Sequence, residues 1–167
     1  MNKPASSLHE ERLAAAVEHA QQKVVADERP LVEVFIREYY RQVDPDDLAA
    51  RSADDLAGAA LSQWELGRVR TPGAPRVRVF NPSAAEHGWA VRHTVIEVVN
   101  DDMPFLVDSA TMEANRQGLT MHLRVHPVYA VERDATGALT GLWPRSDRPQ
   151  LPRESWMHIE VDRLVEP

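Results

Sequence analysis

Apolar residues along the first third of the chain recur at helical spacing. Residues 8–26 are rich in Ala, Glu and Gln, and Leu13, Val17 and Val24 form a loose stripe, which predicts an amphipathic helix. Glu28-Arg29-Pro30 restarts the chain, because proline suits the first turn of a helix and not its interior. The next run, LVEVFIREYY (31–40), is apolar on more than one side and should be buried among neighbours. Asp44-Pro45-Asp46-Asp47 is a helix-start signal, with a capping acid, proline at the first helical position and acids facing the positive helix end. Ser52-Ala53-Asp54-Asp55 repeats that logic as a capping box, and its helix should run to Gly67 with Leu56, Ala60 and Trp64 inward.

The pattern changes after Thr71-Pro72-Gly73-Ala74-Pro75. Residues 76–80 alternate (RVRVF) until Asn81-Pro82 breaks them, which predicts a short strand. Residues 91–99 are a β-branched run, expected to be a strand buried on both sides. Residues 104–117 place Met103, Val107, Ala110 and Ala114 on one helical face, and Gly118 offers a left-handed stop. From Leu119 the period becomes two, with Leu119, Met121, Leu123 and Val125 opposite Thr120, His122, Arg124 and His126. Asp134-Ala135-Thr136-Gly137 reads as a hairpin turn, and 143–152 as a proline-rich loop. Met157, Ile159 and Val161 then alternate with His158, Glu160 and Asp162 as a last strand.

From residue 91 the order is therefore strand, helix, strand, turn, strand, the opening of a split β-α-β unit of the ferredoxin-like kind. The expected class is α+β: N-terminal helices (1–70), then an incomplete antiparallel sheet (76–167) lacking a second helix and a last strand. On that reading the chain is part of a longer polypeptide. The 91–99 strand would then expose an open edge, and the piece would self-associate through it.

Composition narrows the function. No apolar run approaches the roughly 20 residues that span a bilayer, and the opening MNKPASSLHEERLAAA lacks the apolar core of a secretory signal, so a cytoplasmic protein is expected. Cysteine is absent, excluding thiolate metal sites, disulfides and cysteine nucleophiles from these residues. The net charge is -7, carried mostly by the first 66 residues with 13 acids against 7 bases. Such a chain has no positive field to attract nucleic acid, and the short cluster Arg68, Arg70, Arg76 and Arg78 does not supply one.

The stretch with most chemistry is Asn100-Asp101-Asp102-Met103-Pro104-Phe105, where a strand becomes a helix and small ligands collect in α/β folds. Its plain reading is that one aspartate caps the helix behind Pro104. Adjacent acids point to different sides, which disfavours a metal, and no nucleophile or oxyanion partner accompanies them; Ser109 sits inside the helix, outside any G-x-S-x-G elbow. His122 and His126 share a strand face that His158 would join. Three histidines there could hold zinc, but a solvated polar face balanced by Glu160 and Asp162 is the plainer reading. Trp64, Trp89, Trp143 and Trp156 read as packing residues. No G-x-G-x-x-G or P-loop spacing occurs, so neither catalytic nor cofactor-binding residues are assigned.

VRVFNP (77–82), HGW (87–89), VIEVVNDDMPFLVDS (95–109) and HLRVHPVYAVERDATG (122–137) resemble the N-terminal region of the large NAD-specific glutamate dehydrogenases of bacteria. That region is similar to ACT domains, small βαββαβ sensors attached to amino-acid enzymes. The ACT pattern of acid, proline and leucine entering the first helix falls on Asp102, Pro104 and Leu106, with Asp108 one turn further. Where many amino-acid-binding ACT domains have glycine after the proline, this chain has Phe105, whose ring would fill the space an effector uses. The resemblance implies a non-catalytic regulatory or assembly segment of a homo-oligomeric parent. That parent would oxidatively deaminate L-glutamate to 2-oxoglutarate and ammonia with NAD, its catalytic residues lying elsewhere. The segment's implied partners are the rest of the polypeptide and an amino-acid effector. The rivals are an interaction scaffold without a small ligand and a stand-alone amino-acid sensor.

Overall fold

Pro30 and Pro45 each stand in the first turn of a helix, as their fixed φ favours. In the computed structural model, which describes residues 5–165 and 167, the N-terminal helices are α1 (Ala5–Lys23), α2 (Arg29–Tyr39), α3 (Pro45–Ala49) and α4 (Ala53–Gly67). Residues 1–4, which open the stretch without a signal core, lie outside that description. Asp44 caps α3 by accepting from the Asp46 N–H at 2.9 Å, and Ser52 caps α4 by accepting from the Asp55 N–H at 3.0 Å. Leu13, Val17, Leu56, Ala60 and Trp64 are all buried, as their spacing predicts.

The sheet has six strands: β1 (Arg76–Phe80), β2 (Thr94–Asp101), β3 (Met121–Val125), β4 (Val128–Arg133), β5 (Leu139–Pro144) and β6 (Arg153–Val161). A one-turn α5 (Ala84–His87) precedes β2, and α6 (Leu106–Arg116) links β2 to β3. The order is β1-β2-β6-β4-β5, with β3 also pairing β6, and every pairing is antiparallel. The α+β class with an ACT-like sheet is therefore what the chain adopts. The hairpin turn at 134–137 joins β4 to β5, with Gly137 at φ 84°.

Two expectations about the strands are overturned. The run expected over 91–99 is paired over 94–101, and its outer edge is not open. There β1 pairs with β2 from Arg76 opposite Val99 to Phe80 opposite Val95. The self-association argued from that edge thus loses its basis. Second, β6 is not a one-sided strand beginning near Met157. It is central, flanked by β2 on one side and by β3 and β4 on the other, and Glu154 through Val161 are all buried. A central strand covered on both faces has no solvated side for polar residues.

One face of the sheet carries the helices. Val95, Glu97 and Val99 lie opposite Glu160, His158 and Trp156, and Val99 and Trp156 share one continuous core with Leu13, Phe35 and Trp64. Phe35 is its hub, with ring centroids 5.1–5.4 Å from Tyr39, Trp64, Tyr129 and Trp156. Such pairs add about 0.5–1.5 kcal/mol each beyond their buried area. Gly58 and Gly67 let α4 lie directly on Trp89 and Trp156, because a Cβ at either glycine would collide with the indole. Gln63 of α4, fully buried, donates to the carbonyls of Val98 at 3.0 Å and Met157 at 2.7 Å and accepts from the Tyr39 hydroxyl.

Candidate functional site

The β2–α6 turn is anchored where it leaves β2. The Asp102 N–H donates to the Arg153 carbonyl at 3.0 Å, and the Asp101 carboxylate accepts from the buried Arg70 guanidinium. Neither aspartate caps the helix. The N-cap of α6 is Phe105, which has no side-chain acceptor, so the capping expected of Asp101 or Asp102 is wrong. Asp101 is drawn away because Arg70 offers it a charge-assisted bond at the edge of a buried ion-pair cluster.

Phe105 is the one residue other than glycine with positive φ among the described residues, at 64°, and it is 76% exposed. That left-handed conformation costs a side-chain-bearing residue about 1–2 kcal/mol and is the one glycine adopts freely. Strained residues of this kind cluster at ligand clamps and switch regions. We predict that Phe105→Gly raises stability by about 1 kcal/mol; a lower midpoint in urea unfolding would show that the ring packs more than its exposure suggests.

The turn borders a cavity of about 460 Å³ between the end of α2, the first turn of α6 and the β3–β4 connection. Of the expected site residues, Met103 and Phe105 line it, whereas Asn100, Asp101, Asp102 and Pro104 do not. The lining also includes Glu38 and Gln42 near the end of α2, which no sequence signal marked, Asp108, named only through the ACT resemblance, and the two arginines Arg124 and Arg145. Arg124 and His126 did carry a signal, the polar register of an alternating segment. Arg145, beyond β5, carried none. His126 is half-buried at the wall and hydrogen-bonded to Ser155 Oγ at 2.6 Å; burial lowers its pKa, partly offset by Asp102.

The histidines do not converge. His122 pairs with Asp162 at 2.7 Å and stacks on His93 at 4.0 Å between centroids, while His158 is buried elsewhere in the sheet. No group of ligands suited to a metal occurs among the described residues. The solvated face expected for His158 and Glu160 is instead a buried charge string. The His158 ring lies between Glu160, at 3.4 Å, and Glu97, at 3.8 Å. Arg51 grips Glu160 through two bonds of 2.7 and 2.8 Å, and Arg78 grips Glu97 at 2.6 and 3.0 Å. A second buried cluster centres on Glu154, which accepts from Arg70, Arg133 and the Trp156 indole, and it reaches the turn through the Arg70–Asp101 pair.

Among the described residues no helix is long and apolar enough to cross a membrane. The family model described as "Glutamate dehydrogenase, ACT1 domain" matches residues 35–167. Among curated proteins, the NAD-specific glutamate dehydrogenase of Halomonas elongata is 43% identical over 152 residues, covering 90% of this chain and 9% of that protein. The Pseudomonas aeruginosa protein of the same name is 39% identical over 137 residues, covering 81% of this chain and 8% of its own length. That of Mycobacterium tuberculosis is 31% identical over 108 residues, covering 63% and 6%. The chain thus spans less than a tenth of the curated relatives it matches. No solved structure matches it. With an ACT-like antiparallel sheet, a family match over residues 35–167 and relatives at 39–43% identity across most of its length, the chain belongs to the glutamate dehydrogenase ACT1-domain family.

Proposed function

We propose that this chain is a non-catalytic regulatory segment of a cytoplasmic, homo-oligomeric NAD-dependent glutamate dehydrogenase. In that enzyme L-glutamate is oxidatively deaminated to 2-oxoglutarate and ammonia with NAD as hydride acceptor. Residues 1–70 form its helical extension and 76–167 its ACT-like unit, which responds to an amino-acid effector at the β2–α6 turn. The observation that carries this reading is the cavity of about 460 Å³ against the strained Phe105 turn, within the roughly 300–1,000 Å³ range of small-molecule sites.

The same reading makes the isolated chain inert: mixed with L-glutamate and NAD it yields no NADH, and measurable NADH would overturn it. In the whole enzyme, an amino-acid effector shifts the glutamate saturation curve. Exchanging Asn100–Phe105 for a Gly-Ser segment of equal length removes that shift. A shift that survives the exchange means the turn is not the responsive element. The scaffold reading rests on a different observation, the exposed Val77 and Val79 of edge strand β1. It fits an enzyme that dissociates, instead of losing its response, when those valines become threonine.

A further inference from the structure

The walls of the cavity away from the turn set what chemistry fits inside it. Four charged side chains line it, Glu38, Asp108, Arg124 and Arg145. Glu38 is offset by Arg41 at 3.3 Å. Asp108, Arg124 and Arg145 have no hydrogen-bond or ion-pair partner among the described residues, and they come from three elements: the first turn of α6, β3, and the segment after β5. The arginines that reach the buried acids of the sheet are, by contrast, all paired: Arg51 with Glu160, Arg78 with Glu97, Arg70 and Arg133 with Glu154. The cavity therefore presents two guanidinium groups and one carboxylate without partners, above an apolar floor that includes Val43, Leu106, Val125 and Val128.

We propose that this cavity binds a small dicarboxylate carrying one protonated amine, that is, an acidic amino acid. Arg124 and Arg145 each take one carboxylate, and Asp108 takes the ammonium. The proposal rests on the regulatory reading above and names the ligand class of its site. A neutral amino acid leaves one guanidinium unanswered, and a basic one sets a second cation against it. A dicarboxylate without an amine places negative charge against Asp108. Guanidinium suits each carboxylate because its planar fork of donors matches two oxygens at once. Apolar walls around the charges explain why the ligand is small and aliphatic, with its methylenes against Leu106 and Val125.

Calorimetric titration of the 167-residue chain with L-glutamate, L-aspartate, L-glutamine and 2-oxoglutarate tests this. The two acidic amino acids are expected to bind at least about tenfold more tightly than L-glutamine or 2-oxoglutarate. Arg124→Gln and Arg145→Gln each weaken L-glutamate by about tenfold or more without moving the thermal midpoint, since neither side chain has a partner to lose. Asp108→Asn narrows the gap between L-glutamate and 2-oxoglutarate. Equal affinity for all four compounds, or no heat up to millimolar concentration, overturns the ligand assignment. If none binds while the turn exchange still abolishes the response of the whole enzyme, the ligand class falls and the regulatory reading stands. If L-glutamate binds the chain but the turn exchange leaves the enzyme's response intact, the binding site stands and the regulatory reading falls.

Discussion

Replacing Glu154 by alanine is expected to cost the fold about 3–5 kcal/mol, the range for removing one partner of a buried ion pair. Glu154 is 2% exposed and is the common acceptor of two arginines that are themselves almost wholly buried. Arg70 reaches its Oε1 at 2.7 Å and Arg133 reaches its Oε2 at 2.7 Å, while the Trp156 indole N–H adds a bond of 3.2 Å. Without the carboxylate, Arg70 keeps Asp101 and the Ala74 carbonyl, and Arg133 keeps the Gly67 and Gly137 carbonyls. Two cations are then left close together in a dry site with only one counter-charge, which is why the loss is large. It would be a substantial fraction of the roughly 5–15 kcal/mol that stabilises an ordinary domain. Asp101→Asn should cost far less, because Asp101 is 44% exposed and water can replace it. Urea unfolding of the two variants measures both. A Glu154→Ala loss no larger than that of Asp101→Asn would mean that water already reaches the arginines.

The contrast between these two acids shows what could be read from the sequence. Features decided within a few residues were legible: the caps at Asp44 and Ser52, the prolines in first turns, the Asp134–Gly137 hairpin and the left-handed Gly118. The Asp101-Asp102 pair looked equally local, but its outcome was set by Arg70, 31 residues earlier, so the capping inference failed. The place of β1 was hidden for a related reason. RVRVF announces a strand, yet nothing in a strand's own pattern says which neighbour it joins, and it took the side of β2 that seemed free. The polar alternation of β6 misled most. His158 and Glu160 look solvent-facing until Arg51, 109 residues from Glu160, and Arg78, 19 residues from Glu97, neutralise the string from outside. At the cavity, Met103 and Phe105 were found because they lie in the turn, whereas Arg145 arrives only through the sheet fold.

His158→Gln should be as costly as the loss at Glu154, about 3–5 kcal/mol near pH 6, and should also change how stability depends on pH. The imidazole is 1% exposed, between Glu97 and Glu160, with Arg78 and Arg51 outside them, His93 on Glu160 at 2.8 Å, and Tyr39 and Trp89 against its ring. Nδ1 stands 3.8 Å from Glu97, too far for a hydrogen bond, so that side of the ring is held by charge alone. Burial lowers the His158 pKa, but the two carboxylates outweigh it and the result is raised. Burial alone would raise Glu97 and Glu160, yet His158 and the arginines carry both below the usual range. A raised histidine contributes stability that is complete below its unfolded value of about 6.5 and is lost as pH rises through the folded value. The lowered carboxylates contribute stability that is complete above about pH 4.3 and is lost toward acid. Stability from this string is therefore greatest between roughly pH 5 and 6.5 and declines toward alkaline pH. His126 works in the opposite sense: its pKa is lowered by burial, so its contribution is present above about 6.5 and lost as pH falls. Denaturant unfolding from pH 5 to 9 separates the two. His126→Asn removes the loss on the acid side of about pH 6.5 and leaves the alkaline decline in place, whereas His158→Gln abolishes that decline, because with glutamine between Glu97 and Glu160 no proton remains to be lost there. An alkaline decline that persists unchanged in His158→Gln would show that the buried imidazole is neutral throughout and that the arginines alone hold the two carboxylates.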